Sequence, residues 1–231
     1  MSRRVRPLSY AGAPESLLTS PAVRPKPYFR GVLHEWAFYL AIPLGVVLGL
    51  GSDGARQSVA AAVFGGAVVA MFGASALYHR FTWSASVRPW LRRVDHAGIY
   101  GLIAGTYTPF GLIVLHGAWQ IAVLSVVWAG ALAAATIKFV WLTAPKWLSA
   151  ALGIALGWVG VVVIPQLLDG AGPAVLTLVV AGGVCYTVGA LVYARRKPDP
   201  FPSVFGYHEV FHALVIVAVG LQYAAVAFTL S

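Results

Sequence analysis

Charge is what this sequence has least of. Only 10% of its 231 residues are Asp, Glu, Lys or Arg, against roughly 25% in a soluble domain, too few to coat a globule. Acid is scarcer still, with 7 acidic residues against 16 basic ones for a formal charge of +9. The one cysteine, Cys185, excludes an intrachain disulfide and sits in an apolar run as a small packing residue. What is abundant is apolar side chain: 59% of residues, with a mean hydropathy of +0.80. The basic balance invites a nucleic-acid reading, which fails on placement. Basic residues sit in short breaks between apolar runs, where charges that orient membrane segments belong, so no nucleic-acid partner is expected.

Residues 1–30 carry Arg3, Arg4, Arg6, Arg24, Lys26 and Arg30 among several prolines, and read as a basic cytoplasmic tail of low order. No cleavable signal peptide is expected there, because the first apolar run starts only near Gly31. Residues 31–231 form the membrane domain. Apolar stretches of roughly 20 residues recur, each long enough for a hydrocarbon core of about 30 Å. They fall at 31–50, 57–78, 95–115, 119–141, 147–168, 173–194 and 207–230. The fold class is therefore all-α, a polytopic bundle of seven transmembrane helices. With the N-terminus inside, the cytoplasmic breaks hold Arg80, Arg88, Arg92, Arg93, Lys146, Arg195, Arg196 and Lys197, and the outer breaks Asp53, Arg56, His116 and Asp169. That is a positive-inside pattern, and it leaves the C-terminus outside. Gly153 to Gly157 and Gly182-Gly183 have the spacing of close helix contacts.

Ionisable groups within apolar spans are costly, so each is a functional candidate. The set is His34, Glu35, His79, Asp95, His96, His208, Glu209 and His212. On the orientation above, His79 ends span two, Asp95 and His96 begin span three, and His208, Glu209 and His212 begin span seven, all at the cytoplasmic side. His208 and His212 stand at i, i+4, which puts their imidazoles on one helical face about 6 Å apart. That geometry suits two ligands of one Zn²⁺, with Zn–N distances of about 2.0–2.1 Å, and His79 is the best third. The run His208-Glu209-Val210-Phe211-His212 also matches H-E-x-x-H, in which the glutamate would be a general base. Glu209, however, lies about 100° around the helix from His208 and can face the cytoplasmic rim instead. An Asp-Gly pair at 169–170 falls at the opposite membrane face, which weakens a peptidase reading. His96 cannot share the helical face of Asp95, and a hydrogen bond to a neighbouring helix is expected for it. His34 and Glu35 open span one near the same layer, to line a cavity or pair with loop arginines.

The segments SALYH (75–79), RRVDHAGIYGLIAGTYTPF (92–110) and HEVFH (208–212) resemble the hemolysin III family. That family is the bacterial branch of the progestin and adipoQ receptors, within a superfamily that includes alkaline ceramidases. The likeness spans all seven segments, and it departs at His34-Glu35-Trp36 and Gln222-Tyr223, outside the three motifs. It implies zinc held by His79, His208 and His212 with a water in the fourth position. Asp95 would hydrogen-bond that water, and Ser75 would support the ligands from one helical turn before His79. It also implies a multi-pass protein of the inner (plasma) membrane with membrane lipids as partners.

Three functions fit. The first is a zinc-dependent hydrolase of membrane lipid amides or esters, ceramidase-like by analogy, in which Asp95 and Ser75 act on catalysis. The second is a receptor or membrane-state sensor whose zinc is structural. The third is a cytolytic or pore-forming protein, which would need a homo-oligomer, because no ring of charge traverses the bilayer in one chain. The residues leave open whether zinc turns over lipid or fastens helices.

Overall fold

The computed structural model of the protein describes residues 26–231, so residues 1–25 of the expected tail lie outside the described residues. Among the described residues the chain is all-helical, with a single β-bridge between Phe201 and Phe205. The helices are α1 (Val32–Leu50), α2 (Ala55–Arg80), α3 (Arg88–Ile113), α4 (Gly117–Val140), α5 (Lys146–Gly157), α6 (Ile164–Arg195) and α7 (Tyr207–Leu230), with a 3₁₀ turn, Val159–Val163, before α6.

Five helical stretches are long and apolar enough to cross a membrane: α1, α2, α4, the run Lys146–Arg195 and α7. The third expected span, α3, is as long as α2 but less apolar. Arg88, Arg92, Arg93 and Asp95 load its first turns, and Tyr, Thr and Gly residues dilute the rest. The run 146–195 is not one straight rod. At Gly172 the backbone leaves the helix with φ 81° and ψ 171°, a conformation open to glycine at little cost, and Pro173 starts the next helical piece. The break expected at Asp169-Gly170 thus falls two residues later.

Neighbours in sequence are neighbours in space: α2 packs between α1 and α3, α3 on α4, and α6 on α7. Helix α7 also reaches α1, α2 and α3 and closes the bundle. The main core joins Phe64, Met71 and Phe72 of α2 to Leu102 of α3 and to Val215 and Val226 of α7. The outside is apolar as well: Leu50, Leu132 and Val140 are 83%, 70% and 81% exposed. A surface like that is stable against lipid rather than water. Trp36, Trp90, Trp119 and Trp147 are exposed near helix ends.

Small residues do two different things. Gly105 of α3 lies directly on Ala67 of α2, with the Val63 carbonyl 3.4 Å from where a Cβ would stand, a close contact of the kind that joins helices in lipid. Gly153 and Gly157 carry no such contact. Nothing lies within 4 Å of a Cβ on either, and both line a cavity instead. We expect Gly105→Val to force α2 and α3 apart and cost about 1–3 kcal/mol. A denaturant titration of the purified protein in detergent would register this, and an unchanged midpoint would contradict the packing described.

Candidate metal centre

The polar layer forms at the bundle end where α2 stops and α3 and α7 start. His79 lies in the last turn of α2, and Asp95 in the second turn of α3. His208 and His212 lie on successive turns of α7. The start of α7 is fixed by two carboxylates, one of its own and one from the preceding loop. Glu209 Oε2 accepts from the Gly206 amide at 2.9 Å, and Asp199 Oδ1 accepts from the Tyr207 amide at 2.8 Å. These satisfy donors that a helix N-terminus leaves unpaired.

His79, His208 and His212 are buried, and one ligand nitrogen from each lies within 4.8 Å of the others. His79 Nε2 and His208 Nε2 are 3.2 Å apart. Two nitrogens bound to one tetrahedral zinc at about 2.0–2.1 Å would stand roughly 3.3 Å apart. The donor set therefore fits a metal ion: three imidazoles converge, with nitrogen spacing that a single ion would bridge. Asp95 Oδ2 lies 3.6 Å from His79 Nε2 and 4.0 Å from His96 Nε2, so its carboxylate faces the same point.

A fourth imidazole joins them. His34 of α1 stacks on His212, with ring centroids 3.7 Å apart and planes at 9°. Its Nδ1 is 2.8 Å from Ser75 Oγ. His34 Nε2 has no hydrogen-bond partner among the described residues. The chain reaches α1 through Gly31, whose φ of 82° and missing Cβ let the backbone pass against His79, since a Cβ there would stand 2.6 Å from His79 Cβ.

The remaining sequence candidates separate. Glu35 leaves the layer and pairs with Arg80, Nε to Oε2 2.6 Å. His96 lines the cavity beside Asp95. Glu209 is fully buried, caps α7, and receives Arg30 Nε at 2.5 Å. With both oxygens engaged away from the three histidines, Glu209 is not placed as the base of a zincin-type site. Two residues went unread in the sequence. Arg30, assigned to the tail, is the partner of Glu209. Lys138 is 3% exposed and lines the cavity. Its signal was the same intramembrane charge that singled out the histidines, masked by its place near a helix end where orientation charges are common.

The cavity, about 210 Å³, opens from this layer. His34, Asp95, His96, Lys138, His208 and His212 line one end, and Tyr186 and Gln222 lie further in. His208 and Gln222 are separated along α7 by about 20 Å of helix rise. Most of the wall is apolar, from α3, α5, the 3₁₀ turn and α6.

A helical membrane protein with a buried tri-histidine site at one end of a deep apolar cavity is thus defined. The family description Haemolysin-III related matches residues 23–223, and the chain belongs to that family. It is 29% identical over 202 residues to the Hemolysin-3 homolog of Bacillus subtilis (strain 168), covering 86% of this chain and 92% of that protein. It is 29% identical over 202 residues to Hemolysin-3 of Bacillus cereus, covering 86% and 89%. It is also 34% identical over 157 residues to the Heptahelical transmembrane protein ADIPOR2 of Oryza sativa subsp. japonica, covering 62% and 68%.

The geometry of Glu209 has a direct consequence. Glu209→Gln should keep metal content unchanged, because its oxygens do not face the histidines. It should lower stability by about 2–3 kcal/mol, because Arg30 loses a buried partner. Metal analysis with thermal unfolding measures both, and loss of metal at unchanged stability would move Glu209 into the site.

Proposed function

We propose that this protein is a zinc-dependent hydrolase of membrane lipid amides or esters, working at the cytoplasmic side of the bacterial inner membrane. In this reading the chain crosses the bilayer seven times, with the N-terminus inside and the C-terminus outside. What supports the crossing count is the break at Gly172, which divides the run 146–195, together with the length of α3. What supports the orientation is charge. Contacts such as Arg30–Glu209, Arg80–Glu35 and Lys146 Nζ to Tyr207 Oη at 2.7 Å gather the basic segments at the histidine end, and cytoplasmic loops are enriched in Lys and Arg. The heptahelical name of the rice relative agrees.

The observation that carries the reading is the meeting of His79, His208, His212 and Asp95, the last three of which line a deep apolar cavity. His79, His208 and His212 would hold the ion. Zinc bound there supplies a Lewis acid that polarises a carbonyl and acidifies water. Asp95 stands beside the ligands to orient the attacking water and accept its proton. Ser75 would support the ligands from one turn before His79, held by His34, which also braces the His212 ring by stacking. The apolar cavity takes the acyl chain while the head group stays at the interface, which suits an amphiphile whose scissile bond lies between the two. The haemolysin name of the two Bacillus relatives keeps cytolysis in view. Leakage from vesicles by purified protein would expose such an activity.

The test is lipid turnover by purified protein. Asp95→Asn should retain zinc and lose turnover by about 10²-fold or more, whereas His79→Ala should lose both zinc and turnover. Wild-type turnover in Asp95→Asn would remove the proton-accepting role. Full zinc content in His79→Ala would remove that histidine from the site.

A further inference from the structure

Among the described residues, Lys138 is the one Lys or Arg that lines the cavity, and Asp95 is the one Asp or Glu. They do not pair: Asp95 faces His79 and His96, and Lys138 has no ion pair or hydrogen bond among the described residues. Lysines near the ends of membrane helices normally reach outward to the interface. This one does not. Its sequence neighbours Phe139 and Val140 are 39% and 81% exposed on the outer face, while Lys138 is 3% exposed. Arg93 Nε donates to the Phe139 carbonyl at 2.9 Å, which holds the end of α4 level with the start of α3. Lys138 therefore lines the cavity together with Asp95 and His96 of the neighbouring helix α3.

We propose that Lys138 receives an anionic group, a carboxylate or phosphate, on the head of the amphiphile that fills this cavity; the inference rests on the lipid site proposed above. Asp95, turned to His79 and His96, does not serve as counter-ion to Lys138, so the ammonium is an excess positive charge in the cavity wall whether or not the three histidines hold an ion. A neutral ligand leaves that excess uncompensated, and an anionic one balances it. The substrate class narrows to an acyl chain joined by an amide or ester to a small acidic head, such as an N-acyl amino acid or an acylated glycerol phosphate. A diffusing inorganic anion would satisfy the charge but not the apolar wall.

The experiment uses full-length protein in detergent, stripped with a chelator so that carboxylate cannot bind a metal, and the fluorescent acid cis-parinarate with its methyl ester as probes. The wild type should bind the acid about tenfold more tightly than the ester, as a charge-assisted contact implies. Lys138→Met should abolish that preference by weakening the acid alone, and Lys138→Arg should restore it. Dodecyl phosphate should displace parinarate, and inorganic phosphate at the same concentration should not. Equal binding of acid and ester by the wild type overturns the role of Lys138 while leaving the lipid cavity intact, and it needs no variant to fold. Unchanged preference in Lys138→Met, or displacement by inorganic phosphate, overturns it too. Binding of neither probe overturns the lipid cavity itself, and this inference with it.

Discussion

Nitrogen lone pairs from three helix turns converge on one point inside a bundle whose outer surface is hydrocarbon-like, and most other features of this protein follow from that concentration of polarity. Buried polar groups must be paired, and no water from the lipid side can help. The bundle answers with a layered network: Asp95 between His79 and His96, Ser75 on His34, and Glu209 between Arg30 and the Gly206 amide. The three imidazoles of His79, His208 and His212 are the part this network leaves unfinished. A cation of small radius would complete it.

The position of the layer explains the rest of the architecture. Helix ends are where backbone donors and carbonyls are unpaired and where a long polar side chain can still reach the interface. The histidines gather at such an end rather than at mid-membrane. The core of Phe64, Met71, Leu102 and Val215 then holds α2, α3 and α7 in register below the site. On the other side of α3 the packing is incomplete: Gly153 and Gly157 meet nothing, and the vacancy becomes the cavity. Tight packing on one flank and missing side chains on the other produce a site with a rigid ligand set and room for an apolar chain.

Much of this was legible in the sequence because membrane insertion makes each ionisable residue conspicuous. His208 and His212 declare their shared face by spacing alone, and His79 and Asp95 by their place at the ends of apolar runs. The expectation that Glu209 turns from the metal agrees with its geometry, but a rim position does not: it is fully buried, since the partner that permits burial, Arg30, lies 179 residues away. Pairings that far apart leave no periodic trace. The same holds for the stacking of His34 on His212, and for Lys138, whose inward direction depends on the rotation of α4. Gly153 and Gly157 carried the spacing of a tight contact, yet spacing does not say whether a partner helix arrives.

The central claim is that His79, His208 and His212 bind one zinc. Zinc-edge X-ray absorption on the purified, fully loaded protein tests it most directly. The account predicts three imidazole nitrogens at about 2.0–2.1 Å and a single further light ligand. Fewer imidazoles around the metal, an all-oxygen shell, or a protein that takes up no zinc would contradict it.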